Sequence, residues 1–112
     1  MSEASLSSGR PVAVVTGASA GVGRATALAL AKDGYDVAII ARDRDGLESA
    51  ARDIEAAQAR ALVIPADVAD ADAVFAAADR VAAEWGRIDL WINNAMATIF
   101  APVHRIAPEE FI

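Results

Sequence analysis

The fold is decided by residues 12–23, VAVVTGASAGVG, in which an apolar run leads directly into a glycine-rich loop. Val12–Thr16 has the β-branched composition of a buried strand. Gly17 permits a tight turn off that strand, Gly21 lets the backbone approach a ligand, and Gly23 allows a helix to press against the sheet. The helix that follows has free amide groups and a positive dipole end at its start. These features favour binding of a pyrophosphate.

Three more apolar runs follow the first one, at Asp36–Ala41, Arg60–Ile64 and Ile88–Ile92. None shows clean polar alternation, which is typical of strands covered on both faces in a parallel sheet. Helical segments separate the runs, so the element order is β-α-β-α-β-α-β. Right-handed crossovers put helices on both faces of the sheet if the chain reverses direction across it. With that reversal, the predicted fold is an α/β, Rossmann-type three-layer sandwich with about four parallel strands in the order 3-2-1-4.

The helix boundaries also have signals in the sequence. Gly34 and Gly86 are placed to end the first and third helices, and Asp43 is a candidate N-cap for the second. The apolar spacing predicts buried faces for all three helices. These faces are Val22, Ala25, Leu28 and Ala29 in the first, Leu47, Ala50, Ile54 and Ala57 in the second, and Val74, Ala78, Val81 and Trp85 in the third.

Composition limits the classes of function. The chain has 112 residues, 55% of them hydrophobic, no cysteine and a net charge of −6. An acidic chain disfavours nucleic acid as a partner, and no apolar run approaches the roughly 20 residues of a membrane span. We interpret residues 1–9 as a disordered tail that is not a signal peptide, and residues 10–112 as a partial dinucleotide-binding domain. The expected location is the cytoplasm.

Three motifs resemble those of the short-chain dehydrogenase/reductase family. They are Thr16-Gly17-x-x-x-Gly21-x-Gly23, Asp67-Val68 after the third strand, and Asn93-Asn94-Ala95 at the end of the fourth. The resemblance extends from about residue 11 to the end of the chain. It implies an oxidoreductase that transfers a hydride between a nicotinamide cofactor and a carbonyl or alcohol substrate. Met96 stands where the family usually has glycine.

The end of the second strand distinguishes the two nicotinamide cofactors. An acid there favours the ribose hydroxyls of NAD, and a cation favours the 2′-phosphate of NADP. Here Arg42 follows Ala41, which favours NADP over NAD, although Asp43 could reach a ribose and Ala20 lacks the basic side chain of many NADP-preferring relatives. The motifs together predict cofactor contacts at Gly17, Ser19, Gly21, Val22, Gly23, Arg42, Asp67, Val68, Asn94 and Ala95. For Asp67, capping of a turn is the alternative role.

Catalytic residues of the family are not found in this sequence. The resemblance implies a Tyr-x-x-x-Lys pair and a serine, but Tyr35 is the only tyrosine, Lys32 the only lysine, and Ser49 the last serine. We therefore expect this stretch alone to be inactive. The sequence ends at Ile112, one turn into a helix predicted from Pro108, so we interpret it as truncated. The complete protein is expected to form a homo-oligomer.

Two alternatives remain at this stage. One is a non-catalytic nucleotide-binding or regulatory module that ends at Ile112. The other is a different Rossmann-type protein such as a methyltransferase, which the pair Ala41-Arg42 disfavours because that class needs an acid for the ribose. No group of His, Asp and Glu has metal-ligand spacing, and His104 is interpreted as a loop residue.

Overall fold

Strands and helices alternate along the part of the chain that the computed structural model describes, residues 9–94. The elements are β1 (Val12–Thr16), α1 (Gly21–Lys32), β2 (Asp36–Ala41), α2 (Arg44–Ala56), β3 (Ala61–Pro65), α3 (Ala71–Trp85) and β4 (Leu90–Ile92). The expected tail up to Ser8 lies outside the described residues. So do Ala95, Met96, His104 and the helix predicted from Pro108.

The four strands form one parallel sheet in the order β3-β2-β1-β4, which confirms the predicted order. β1 is central and pairs with β2 from Val12↔Asp36 and with β4 from Ala13↔Leu90. The third strand begins one residue later than predicted. The fourth is shorter than the predicted 88–92, because its pairing with β1 begins only at Leu90.

Alternate residues of the central strands face two separate cores. Val15, Val37 and Ile39 pack with α1 and α2 on one face of the sheet. Val14 and Ile40 belong to the second core, on the opposite face, which is closed by α3. Within the described residues the chain is therefore a three-layer α/β sandwich, as predicted.

The helix ends follow the signals in the sequence. Gly34 and Gly86 have φ angles of +104° and +80°, a backbone conformation that suits glycine just after a helix. The Asp43 carboxylate accepts a hydrogen bond from the backbone N–H of Gly46, and Asp70 caps α3 in the same way. The ends of α1 and α3 and the start of α2 thus lie where these sequence signals predict.

The prediction for the buried face of α1 is wrong. The buried residues are Gly23, Ala27 and Ala31, whereas Ala25 and Ala29 are exposed. Apolar residues occur on nearly all sides of this helix, so periodicity alone does not identify the inward face. The close approach of Gly23 to the loop selects it, and the small side chains of Ala27 and Ala31 then let the helix lie near the sheet. The faces of α2 and α3 are largely as predicted, with Leu47, Ala50, Ile54, Val81 and Trp85 buried.

A buried carboxylate closes the amino-terminal edge of the sheet. Asp36, at the start of β2, is fully buried and forms ion pairs with Arg10 at 3.2 Å and Arg60 at 2.9 Å. It also accepts a hydrogen bond from the backbone N–H of Arg60. The Arg60 guanidinium lies 4.8 Å from the ring centre of Trp85. The network connects the starts of β2 and β3 to the end of α3.

The start of β4 is held to β1 by a side chain. Asp89 accepts from the backbone N–H of Val12 at 2.8 Å, and its own N–H donates to the Val12 carbonyl. Arg87 also donates two hydrogen bonds to the Asp89 carboxylate. The bonds from Arg87, and after them the bond from Val12, lower the pKa of Asp89 below its usual value.

We predict that Asp89→Asn lowers the urea midpoint of this chain at pH 7. The lowered pKa means that Asp89 stabilises the fold above its unfolded-state pKa of about 4. That contribution is lost as the pH falls through the lower pKa of the folded state. The difference between Asp89→Asn and the unchanged chain should therefore shrink as the pH falls below about 4. A difference that stays constant with pH would contradict this assignment.

Candidate dinucleotide-binding site

The glycine loop turns away from the sheet directly after β1. Gly17 and Gly21 have φ angles of +66° and +59°, in the left-handed region that other residues rarely adopt. The backbone N–H of Gly17 donates to the carbonyl of Ile40 in β2 at 2.8 Å. Ala18 is fully buried beneath the turn. The loop therefore has a fixed conformation above the carboxyl-terminal ends of β1 and β2.

Gly23 lies at the closest approach between α1 and the loop. A Cβ atom at this position would lie 2.0 Å from the Gly17 carbonyl oxygen and 2.9 Å from the Asn94 side-chain nitrogen. No side chain fits into that space. The sequence predicts that Gly23 lets the helix press against the sheet. The structure places the close contact of Gly23 at the Gly17 carbonyl of the loop, while α1 packs on the sheet through Ala27 and Ala31. It also shows that Asn94 adjoins the loop.

The start of α1 differs from that of the other two helices. α2 and α3 are capped by Asp43 and Asp70, but Ala20 at the start of α1 provides no side-chain cap. The first turn of α1 contains no acidic residue. Val22, beside these amides, is 73% exposed. The first amides of α1 are therefore left for water or for a ligand.

Thr16 joins the ends of β1 and β4. Its hydroxyl donates to the Asn93 side-chain oxygen at 2.8 Å and accepts from the Asn94 backbone N–H at 2.9 Å. Thr16 itself is 1% exposed. Thr16 belongs to the loop motif, but the motif alone does not predict its role. A threonine that ends an apolar strand, with two asparagines at the end of another, is the signal that was missed.

Hydrogen bonds run across the whole carboxyl-terminal edge of the sheet. Ala66 after β3 donates to Ala41 of β2, Gly17 donates to Ile40 of β2, and Thr16 bonds with Asn93 after β4. The predicted site residues Gly17, Arg42, Asp67 and Asn94 follow the ends of these four strands. The topology therefore brings them to one edge, where ligands bind in open parallel sheets.

Arg42 and Arg24, two cations of this region, have different surroundings. Arg42 is exposed and forms no ion pair within residues 9–94. Arg24 in α1 donates to Ser49 at 2.9 Å and to Asp53 at 2.7 Å, both in α2. Arg24 is thus engaged with a neighbouring helix, whereas Arg42 is available to an anion. Asp43 beside it caps α2.

The sequence allows two roles for Asp67, in the segment after β3: a contact to the cofactor or capping of a turn. An Asp67 carboxylate oxygen accepts from the backbone N–H of Ala69 at 2.9 Å, so Asp67 does cap a turn. It is exposed, and its other carboxylate oxygen has no hydrogen bond to the rest of residues 9–94. The following Val68 is half-buried against the core beneath α3. The turn therefore presents an exposed carboxylate at the carboxyl-terminal edge.

Catalytic side chains of the expected kind do not gather at this edge within the described residues. Tyr35 precedes β2 and Lys32 ends α1, so both belong to the opposite, amino-terminal edge. Over residues 9–94 there is no group of three His, Asp or Glu side chains that could hold a metal ion. No helix in the same part of the chain is long and apolar enough to span a membrane.

Comparison with known sequences identifies the family of this chain. The sequence model of the family described as short chain dehydrogenase matches residues 11–112. The chain belongs to the short-chain dehydrogenase family. This assignment confirms the resemblance found from the three motifs, and it removes the methyltransferase alternative.

Two related enzymes are 39% and 42% identical to this chain. D-threitol dehydrogenase of Mycolicibacterium smegmatis is 39% identical over 100 residues, covering 89% of this chain and 38% of the relative. The 3-oxoacyl-[acyl-carrier-protein] reductase FabG of Staphylococcus aureus is 42% identical over 100 residues, covering 88% of this chain and 41% of the relative. The chain therefore spans about two fifths of the length of these short-chain dehydrogenases.

Solved structures of the family have the same fold. A metagenomic short-chain oxidoreductase in complex with NADP has a TM-score of 0.74 and 42% identity, over 96% of this chain and 48% of that one. L-sorbose reductase from Gluconobacter frateurii, complexed with NADPH and L-sorbose, has a TM-score of 0.75 and 33% identity, over 96% of this chain and 41% of that one.

We predict that Gly23→Ala destabilises this chain strongly. The added methyl group overlaps the Gly17 carbonyl, and overpacking of this severity costs about 3 kcal/mol of unfolding free energy. Gly21→Ala is the matched control, because a Cβ there meets nothing within 4 Å and only the positive φ is strained. That strain costs about 1 kcal/mol. Urea unfolding measures both losses. An equal loss in the two variants would contradict the role given to Gly23.

We also predict that Thr16→Val removes protection from the Asn94 amide in hydrogen exchange measured by NMR. Valine keeps the shape but leaves the Asn94 N–H without its acceptor, at a cost of about 1–3 kcal/mol. Thr16→Ser is the control, since it keeps the hydroxyl and loses only a methyl group. The Asn94 amide should stay protected in the serine variant. Equal protection in the valine and serine variants would exclude the hydroxyl as the connection between β1 and β4.

Proposed function

We propose that this chain is the cofactor-binding portion of an oxidoreductase that transfers a hydride between NADP(H) and a carbonyl or alcohol substrate. The observation that carries the proposal is the uncapped start of α1, which lies beside the fixed glycine loop at the carboxyl-terminal edge of the sheet. Membership of the short-chain dehydrogenase family and the NADP-bound and NADPH-bound relatives support it.

The pyrophosphate is assigned to the first turn of α1. Its amides near Gly21, Val22 and Gly23 have no side-chain cap, and no carboxylate in the turn competes with an anion. Gly17 and Gly21 keep the approach free of side chains, and Ser19 adds a hydroxyl on the loop. The exposed Val22 supplies an apolar surface that a bound cofactor would cover. These residues fit a dinucleotide by charge and by shape.

The adenosine end is assigned to the loops after β2 and β3. Arg42 is exposed and lacks an ion pair within residues 9–94, so its guanidinium is available for the 2′-phosphate of NADP. The exposed Asp67 carboxylate accepts from the adenine amino group, and the Val68 backbone bonds the ring. Asn94, with Ala95 outside the described residues, lines the ribose side. NADP is therefore favoured over NAD.

The bound cofactor supplies or accepts the hydride. The residues of this chain bind and orient it, while the tyrosine and lysine that move the proton in this family are not provided by Tyr35 and Lys32. We infer that this chain alone binds the cofactor without catalysing the reaction. We further propose a cytoplasmic location and a homo-oligomer for the complete protein.

We predict that Arg42→Ala weakens NADPH binding by about tenfold, the loss of one charge-assisted contact to phosphate. NADH lacks the 2′-phosphate, so its affinity should change little. Isothermal titration calorimetry with both nucleotides measures the effect. Arg80→Ala is the control, because Arg80 is an exposed arginine on α3, paired with Glu84 on the opposite face of the sheet. A parallel loss for both nucleotides in Arg42→Ala would refute the NADP preference.

The inactivity of this chain is tested separately. This chain should bind NADPH in the titration but should not oxidise it when aldehydes and ketones are added, as followed by absorbance at the reduced nicotinamide band. Turnover by the purified chain would show that another residue moves the proton. If the chain bound neither NADPH nor NADH, the proposed cofactor site would be wrong.

A further inference from the structure

Close packing joins α2 to the glycine loop, and hydrogen bonds join α2 to α1. The residues of α2 involved are Gly46, Ser49 and Asp53, whose spacing of three and four residues lies on one face of a helix. Leu47, Ala50 and Ile54 lie on another face of α2 and pack against the sheet. We call Gly46, Ser49 and Asp53 the α2 seam.

The first contact of the α2 seam is with the glycine loop, in the first turn of α2. A Cβ placed on Gly46 would lie 2.9 Å from the Ser19 carbonyl oxygen and 2.9 Å from the Ser19 Cβ. It would also lie 2.8 Å from the Asp43 carboxylate that caps the helix. The absence of a side chain at Gly46 therefore sets the distance between the start of α2 and the loop.

The second contact of the α2 seam is made by Arg24. Its guanidinium donates to the Ser49 hydroxyl at 2.9 Å and to Asp53 at 2.7 Å, and the side chains of Arg24 and Asp53 are 32% and 47% exposed. Arg24 directly follows Gly23, which is packed against the loop. A rigid helix held at Gly46 and again at Ser49 and Asp53 is fixed both in position and in tilt.

We propose that Arg24 and Asp53 are positioning residues that set the cofactor preference of this chain. The inference rests on the proposed cofactor site. Arg42 comes directly before the N-cap Asp43, so the tilt of α2 determines where the Arg42 guanidinium lies relative to the glycine loop. A bidentate contact to phosphate depends on that placement. Small misplacements of a binding group reduce its contribution strongly.

Asp53→Asn distinguishes positioning from simple electrostatics. Loss of a negative charge near the site would by itself strengthen binding of the more highly charged NADPH. Loss of positioning would instead weaken NADPH binding, because Arg42 would no longer be held where it can contact the 2′-phosphate. We expect the affinity ratio of NADPH to NADH to fall by about fivefold, while NADH affinity and the melting temperature change little, since half-exposed ion pairs add little stability.

Isothermal titration calorimetry on this chain measures the NADPH and NADH affinities of Asp53→Asn and of two further variants. One terminal nitrogen of Arg24 donates to both Ser49 and Asp53. Arg24→Lys retains the charge but has a shorter side chain that places its ammonium nearer α1, so the affinity ratio should fall by a smaller factor than in Asp53→Asn. Glu84→Gln is the matched control. It breaks a comparable half-exposed pair with Arg80, 3.1 Å long, on the opposite face of the sheet, and should leave the ratio unchanged.

The outcomes separate this inference from the proposed function. An unchanged or raised ratio in Asp53→Asn, with normal NADPH preference in the unaltered chain, overturns the positioning role alone. An equal fall of the ratio in Glu84→Gln overturns it as well, because the effect would then not depend on the contact between α1 and α2. If the unaltered chain binds neither nucleotide, or binds both equally, the proposed NADP site fails and this inference fails with it.

Discussion

The contact between Gly23 and the carbonyl of Gly17 is the constraint on which the other features of the site depend. A Cβ in this contact would lie 2.0 Å from the Gly17 oxygen, so the backbone of α1 begins as close to the loop as a chain can come. This contact sets the rotation of α1 about its axis, which turns Ala27 and Ala31 inward and leaves Val22 exposed. It also points the uncapped amides of the helix towards the edge where all four strands end.

The two edges of the sheet have opposite roles. At the amino-terminal edge, the buried Asp36 contacts the side chain of Arg10 and both the side chain and the backbone N–H of Arg60, so its charge is compensated by groups of the chain itself. At the carboxyl-terminal edge, the amides of α1 and the Arg42 side chain have no such partner within residues 9–94. A network closed in this way needs no outside partner for its buried charge. An open set of donors is suited to a ligand.

Much of this architecture could be predicted from the sequence because it depends on local chemistry. Apolar runs marked the strands, and their alternation with helices predicted a parallel sheet with the order 3-2-1-4 of a Rossmann-type fold. Gly34, Gly86 and Asp43 marked helix ends through backbone conformation and capping, which involve only near neighbours. The inward face of α1, the role of Thr16 and the pairing of Arg24 with Asp53 were not predicted. Each depends on contacts between elements distant in sequence, and α1 is too uniformly apolar for its periodicity to identify a face.

The acidic character of the chain makes the position of Arg42 more informative. A net charge of −6 opposes an anionic ligand, so binding must come from locally placed donors. Most of the arginines in residues 9–94 are engaged in ion pairs, at Arg10, Arg24, Arg44, Arg60, Arg80 and Arg87. Lys32, Arg42 and Arg52 form none in this part of the chain, but Lys32 ends α1 at the amino-terminal edge and Arg52 lies within α2. Within residues 9–94, Arg42 is thus the cation without an ion pair that directly follows a strand at the carboxyl-terminal edge. Ion pairs with carboxylates engage most of the other arginines in the same part of the chain and leave Arg42 as a candidate for the proposed phosphate contact.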